Sequence, residues 1–315
     1  MKNIVLKLCT AMVRLRYPTL KSAYLYFIRD NYYSRLNQTQ FYLKDYHSKK
    51  KYKEINWEGE FQVEITYVLP FAYWHYLNGT LKSTTSSTNT KEFYFFSENH
   101  TEKYAERDAT FMFKNYDIPN MTHSISKSFK KWAAVPLKKQ YTNNLFVFDK
   151  PILIIANKYN VEWDQPPINF LDIPTLSKII DTYKDKYQII YNRPLSNQIT
   201  IDNSEILDLG EYEWLKENHP DVVLLKDLYE QHKAKVNNFN HLQLMVYANA
   251  NHFLSMHGGT AALASYFGGT NIILSNNGME ELFNEYTTIF PALSGARILH
   301  AKTADDILNF MQQYY

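Results

Sequence analysis

The sequence predicts an α/β protein built from two α/β units, the second a doubly wound, mostly parallel sheet. Two observations carry this. From Leu145 onward, short apolar runs of strand length alternate with helix-like stretches. Late in that series, one run delivers the chain to His257-Gly258-Gly259-Thr260 and then directly to a helix of small residues. Strands alternating with helices imply right-handed crossovers and hence parallel pairing. A chain of 315 residues that is 45% hydrophobic can bury a sizeable core, in two domains or one large one.

Taken in order, residues 1–58 read as a lead-in, 59–147 as a first α/β unit and 148–315 as the doubly wound unit. Met1–Arg16 is an amphipathic helix with Ile4, Leu8, Ala11, Met12 and Leu15 on one face, flanked by Lys2 and Arg16. Such a face suits an interfacial contact with anionic lipid, or docking on the protein's own surface. Tyr17-Pro18 ends it, because a residue before proline disfavours the α region. Residues 19–58 read as helix followed by a solvated linker.

Phe61–Val68 alternates like a strand, Lys82–Thr90 is a serine- and threonine-rich loop, Glu92–Phe96 a second strand and Ser97–His100 the loop beyond it. Residues 101–144 hold one helix and the basic segment Lys127–Lys139. Then come strands at Ile152–Ala156, Gln188–Tyr191, Val222–Leu225, His252–Met256, Asn271–Leu274 and Arg297–His300. Helices are expected from Asp172 to about Tyr183, and at Glu211–Asn218, Asn240–Ala248, Thr260–Phe267 and Ala304–Tyr314.

Composition narrows the function. With 34 Lys+Arg against 32 Asp+Glu, the net charge of +2 gives no reason to expect a nucleic-acid partner. A single cysteine, Cys9, excludes an intrachain disulfide and every multi-cysteine metal site. No apolar run is long enough to span a membrane, and Lys7 splits the only signal-like stretch, so a cytoplasmic location is expected. The 26 tyrosines serve wet grooves as well as cores, since each ring is apolar with a polar tip. No P-loop, dinucleotide-binding glycine fingerprint, zincin motif or nucleophile elbow occurs.

The informative motif is the turn at His257-Gly258-Gly259-Thr260. Two glycines turn sharply or let backbone approach a ligand, and the turn sits where open α/β sheets bind ligands. Thr260 either caps the following helix or offers its hydroxyl to a phosphate. The order strand, His-Gly-Gly-Thr, helix, Gly268-Gly269, strand resembles nucleotide-sugar glycosyltransferases with two Rossmann-like domains, the GT-B architecture. Within that group it is similar to the family of plant β-1,2-xylosyltransferase and the O-mannose N-acetylglucosaminyltransferases, where His-Gly-Ala-Gly stands at the turn; here Gly259 and Thr260 replace the last two residues.

The resemblance implies a nucleotide-sugar donor, with its diphosphate on His257, Gly258, Gly259 and Thr260, and a glycan or lipid-linked saccharide as acceptor. Glu280 and Glu281 are the candidates for the ribose hydroxyls, or else ordinary first-turn carboxylates. Arg193 and Lys158, each just beyond a strand, are phosphate partners or solvated cations. For an inverting transfer the base belongs to the first unit, where His75, within Tyr73-Trp74-His75-Tyr76, and Glu98 follow expected strands. No Asp-x-Asp pair occurs, which favours metal-independent transfer with no cofactor. A two-domain nucleotide-sugar epimerase and a non-catalytic carbohydrate-binding protein are the competing readings.

Overall fold

The computed structural model describes residues 2–108, 115–120, 127–162, 166–200 and 204–315. Three strands of the first half, β1 (Lys53–Asn56), β2 (Leu81–Ser87) and β3 (His100–Tyr104), form a parallel sheet in that order. The second half contributes β4 (Ile152–Ala156), β5 (Asn160–Glu162), β6 (Gln188–Asn192), β7 (Ser204–Ile206), β8 (Val223–Leu224), β9 (His252–Met256), β10 (Thr270–Leu274) and β11 (Arg297–Ala301). Six of these make one sheet in the order β11-β10-β9-β4-β6-β8, every neighbouring pair parallel, while β5 and β7 pair antiparallel beside it.

The chain therefore enters the large sheet at its centre, winds out through β6 to β8, returns to β9 beside β4, and winds out the other way to β11. This is the strand order of a doubly wound, Rossmann-like sheet, with the reversal of direction between β4 and β9. The expected strands of this half all form, most within a residue of their expected ends. The helix after Asp172 forms as Ile173–Tyr183, its first turn capped by the Asp172 carboxylate accepting from the Thr175 amide at 2.9 Å.

Side chains alternate through the strands. Leu153, Ile155, Leu254, Met256, Ile272 and Leu274 face one core with helices Ile173–Tyr183 and Ala304–Tyr314, as Leu176, Ile180, Ile307 and Met311 show. Ile152, Ile154, Ala156, Ile190, Phe253 and Ile273 face the other. That second core does not stop at the expected boundary near residue 147. It runs on into Ile55, Ile65, Tyr67, Phe71, Phe93 and Tyr94 of the first half. Polar ties accompany it: Glu92 accepts from Asn237 and Asn238 at 2.9 and 2.8 Å, and Lys138 donates to the carbonyls of Ala250 and Phe267.

Several expectations for the first half are corrected. Phe61–Val68 is helical, not extended: Phe61–Val63, a wide π turn Glu64–Val68 and Leu69–Leu77 follow one another. Its residues from Glu64 to Ala72 are buried all round, so no helical period was visible. Pro70 has no amide hydrogen for a regular turn and sits just past the π turn. Lys82–Thr90, expected as a loop, holds strand β2; its threonines suit a pleated strand, and the inward Thr84 and Ser86 hydroxyls meet His100 at 2.8 and 3.2 Å. Glu92–Phe96 is a 3-10 turn at Lys91–Tyr94 rather than a strand. The expected solvated linker before residue 58 contains the π turn Leu43–Ser48 and β1. Of the expected helix within 101–144, the described part is Leu137–Tyr141; residues 109–114 and 121–126 lie outside the described residues.

The N-terminal helix forms as Lys2–Arg16 and rests on helix Leu25–Gln40. It docks through Cys9 and Val13, the latter against Leu25 and Ile28. The apolar stripe faces outward, with Ile4 64%, Leu8 62%, Met12 56% and Leu15 84% exposed. No helix among the described residues is long and apolar enough to cross a membrane.

Candidate phosphate site at the sheet reversal

The carboxyl ends of β4 and β9 are neighbours whose chains leave in opposite directions, which opens a crevice between them. After β4 come Asn157 and Lys158. The Asn157 side chain is buried and spans the loop, donating to the Leu171 carbonyl and the Tyr191 hydroxyl at 3.0 Å each and accepting from the Leu171 amide at 2.9 Å. This pins the start of the loop and sets where Lys158 emerges.

After β9 come His257, Gly258 and Gly259, and the two glycines do different work. Gly258 has φ +92° and ψ −145°, a conformation that side chains strongly disfavour, and a Cβ there would lie 3.9 Å from the Lys158 ammonium. Lys158 thus reaches the glycine turn. Gly259 has ordinary φ, but a Cβ there would stand 2.9 Å from the Phe61 ring and 3.7 Å from the Gln62 amide nitrogen. Its missing side chain admits the first half, not a ligand. Gln62 also carries a buried amide nitrogen without a partner. Helix Gly259–Ala264 takes Gly258 as its cap, so Thr260 does not cap it.

His257 is fixed on its Nδ1 side. That nitrogen lies 3.0 Å from the Tyr286 hydroxyl, 3.2 Å from the Ser275 hydroxyl and 3.2 Å from Glu280 Oε2. The side chain is 17% exposed, while Glu280 is 1% exposed. Gly278 makes the fit possible: a Cβ there would come within 2.4 Å of His257 Cε1.

The other expected site residues are placed as follows. Glu280 is buried against His257, which corrects its expected role at the ribose hydroxyls. Glu281 is partly exposed and pairs with Lys302 at 2.6 Å, beyond the end of β11. Arg193 is not a phosphate partner: 3% exposed, it binds Glu211 through Nε at 2.5 Å and NH2 at 3.0 Å and donates to the Leu207 carbonyl. One edge of its planar fork is taken by that carboxylate and NH1 by the Leu207 carbonyl.

Both candidate bases lie elsewhere. His75 occupies the last turn of Leu69–Leu77, with no exposed surface, and its Nδ1 meets the Thr80 hydroxyl at 2.7 Å. Burial, aided by Lys53 and Lys131, holds its pKa well below the usual histidine range. Glu98 precedes β3 instead of following a strand; 74% exposed, it pairs with Lys51 at 2.8 Å, which lowers its pKa. His75, wholly enclosed, does not open on the crevice, and the ion partner of Glu98 is Lys51 rather than a group of the glycine turn.

Sequence reasoning missed Ser275, Gly278, Tyr286 and Phe61. Gly278 offered the only signal, as the turn residue of Asn276-Asn277-Gly278. Among the described residues no group of three or more His, Cys, Asp or Glu side chains is arranged to hold a metal. Comparisons with protein-family models, with characterised proteins and with solved structures find no match to this chain. In chemical terms the crevice presents a lysine and a fixed imidazole around a glycine turn, an arrangement suited to an anion such as phosphate.

Proposed function

We propose that the chain is a glycosyltransferase that binds a nucleotide-sugar donor with its diphosphate at the His257-Gly258 turn and passes the sugar to a glycan or lipid-linked acceptor. The observation that carries this reading is the meeting of Lys158 with the Gly258 turn at the reversal point of a doubly wound sheet. In the finer GT-B reading, the first half, with its own parallel sheet, is the acceptor-side lobe. The base is then a group other than the enclosed His75.

An apolar stripe on helix Lys2–Arg16, outward-facing and flanked by Lys2 and Arg16, supports a peripheral contact with an anionic membrane, where a lipid-linked acceptor would reside. The groove between this helix and Leu25–Gln40, about 760 Å³, adds Arg35 and Leu36 to the same face.

Calorimetry with UDP, GDP and their sugar conjugates tests the donor site. At least one should bind, and Lys158→Ala should weaken it roughly tenfold or more, the usual scale for a charge-assisted contact. Absence of binding by every nucleotide would remove the reading. Turnover of the bound nucleotide sugar without any acceptor would mark an epimerase instead.

A further inference from the structure

The segment expected as a solvated linker carries apolar side chains that the fold holds outward. Beyond helix Leu25–Gln40, the π turn Leu43–Ser48 stands against the end of helix Leu69–Leu77. Its anchor is Asp45, wholly buried, whose carboxylate accepts from the Tyr52 hydroxyl at 2.6 Å and pairs with Lys131. The Asp45 carbonyl accepts from the Asn78 side chain, also at 2.6 Å. With Asp45 turned inward, Tyr42, Leu43 and Tyr46 are turned out, Leu43 to 70% exposure. The Tyr46 ring lies 5.0 Å from that of Tyr42 and 5.8 Å from that of Trp74. Leu77, 60% exposed, follows one turn after Trp74 on the same helix. An exposed apolar patch on so firmly pinned a base is a contact surface, not a frayed end.

Charge identifies the occupant. Residues 1–51 contain eleven lysines and arginines against two aspartates and no glutamate, while the rest of the chain contains 23 basic against 30 acidic side chains. Both aspartates are buried and ion-paired, Asp30 with Arg29 at 2.7 Å and Asp45 with Lys131, so this part of the chain shows solvent a cationic surface. Beside the patch the exposed cations are Lys44, Lys49 and Lys50. Lysine is depleted in protein–protein contacts. Tyrosine and tryptophan instead favour the headgroup level of a bilayer, leucine the acyl boundary, and lysine the anionic lipids.

We propose that Tyr42, Leu43, Tyr46, Trp74 and Leu77 form a second membrane anchor, which enters the headgroup and acyl boundary of an anionic bilayer while Lys44, Lys49 and Lys50 meet the lipid phosphates. This rests on the peripheral-membrane reading, but not on helix Lys2–Arg16 itself. Helix Leu25–Gln40 carries that helix against it and this turn beyond its end. Contact at both surfaces fixes the protein's orientation on the membrane and adds avidity.

The test reads the two surfaces separately. Cys9 is the sole cysteine, so in a Cys9→Ser background Leu43→Cys, Leu77→Cys and Leu8→Cys each offer one site for an environment-sensitive NBD label. All three leucines are exposed, so the variants should melt as the wild-type protein does. Vesicles rich in phosphatidylglycerol should shift the labels at 43 and 77 to the blue and raise their emission severalfold; phosphatidylcholine alone should not. Silence at 43 and 77 with a response at 8 overturns the proposal and leaves the helix as the anchor. Silence at all three removes the membrane reading and the proposal with it. A response at 43 and 77 with silence at 8 supports the patch and removes the helix. A response at 43 and 77 to soluble oligosaccharide but not to vesicles makes the patch a sugar platform and overturns the proposal. In the otherwise unaltered chain, Lys49→Ala/Lys50→Ala should weaken binding to the same vesicles roughly tenfold or more, as added salt does to the wild type. Unchanged affinity in that variant likewise overturns it.

Discussion

Arg193 and Lys158 occupy equivalent places, each just past the end of a strand, and only their surroundings separate them. Arg193 meets Glu211, a residue 18 positions later that closes on it from the first turn of Glu211–Asn218. Removing one partner of such a buried pair leaves an uncompensated charge, at a typical cost of about 3–5 kcal/mol. Arg193→Ala should therefore lower the melting temperature markedly while leaving nucleotide affinity, measured on the folded fraction, unchanged. A selective loss of affinity with normal stability would restore Arg193 to the phosphate site. That Lys158 and His257 stand just past strand ends was legible from sequence, because local pattern fixes where a strand stops. The roles of Glu280 and Gly259 were not, since each depends on a contact from another element: the His257 ring in one case and Phe61 in the other.

Among the elements, those of the second half were readable because each strand is a short, nearly continuous apolar run bounded by turn residues. The first half hides its elements. The helical stretch Phe61–Leu77 is buried all round from Glu64 to Ala72, and strand β2 buries hydroxyls in place of hydrocarbon, so composition pointed the wrong way in both. That hydroxyl-lined packing has a pH consequence. His100, stacked on Tyr94 and enclosed by Thr84 and Ser86, is pushed down to about 4, first by burial and then by Lys91; His75 is lowered in the same sense. A histidine held below its unfolded value of about 6.5 contributes stability that is complete above that value and is lost as pH falls toward the folded one. The melting temperature should decline between about pH 6.5 and 4, and His100→Gln should flatten that decline. An identical slope in the variant would assign the acid sensitivity elsewhere.

The N-terminal helix yields its own expectation. Since Leu8 and Leu15 are exposed, Leu8→Glu/Leu15→Glu should leave the fold unchanged but abolish flotation with phosphatidylglycerol vesicles, and added salt should weaken the wild-type protein's binding. Equal flotation of both proteins would leave the stripe without a membrane role.

Over the whole molecule, the decisive feature is the core shared by the two halves. One face of the large sheet is covered by helix Phe239–Ala248 together with side chains from residues 55–146. Burial of apolar surface scales with area, at about 25 cal/mol per Å², so neither half retains its stability once that face is bared. Thermal unfolding should show a single cooperative transition, and a fragment spanning residues 148–315 should aggregate or bind hydrophobic dyes. A soluble fragment with native melting behaviour would restore two independent domains.

The sequence by itself determined the α/β class, the strands of the large sheet and the glycine turn at its carboxyl edge, because these rest on apolar periodicity and on the backbone freedom of glycine, both local properties. Tertiary structure alone decided which polar groups are enclosed by the protein. Arg193, Glu280 and His75 look as polar in sequence as any surface residue, but burial beside Glu211, beside His257 and beneath Thr80 commits them within the protein. A charge's availability depends on what desolvates and pairs it, and those partners come from distant parts of the chain.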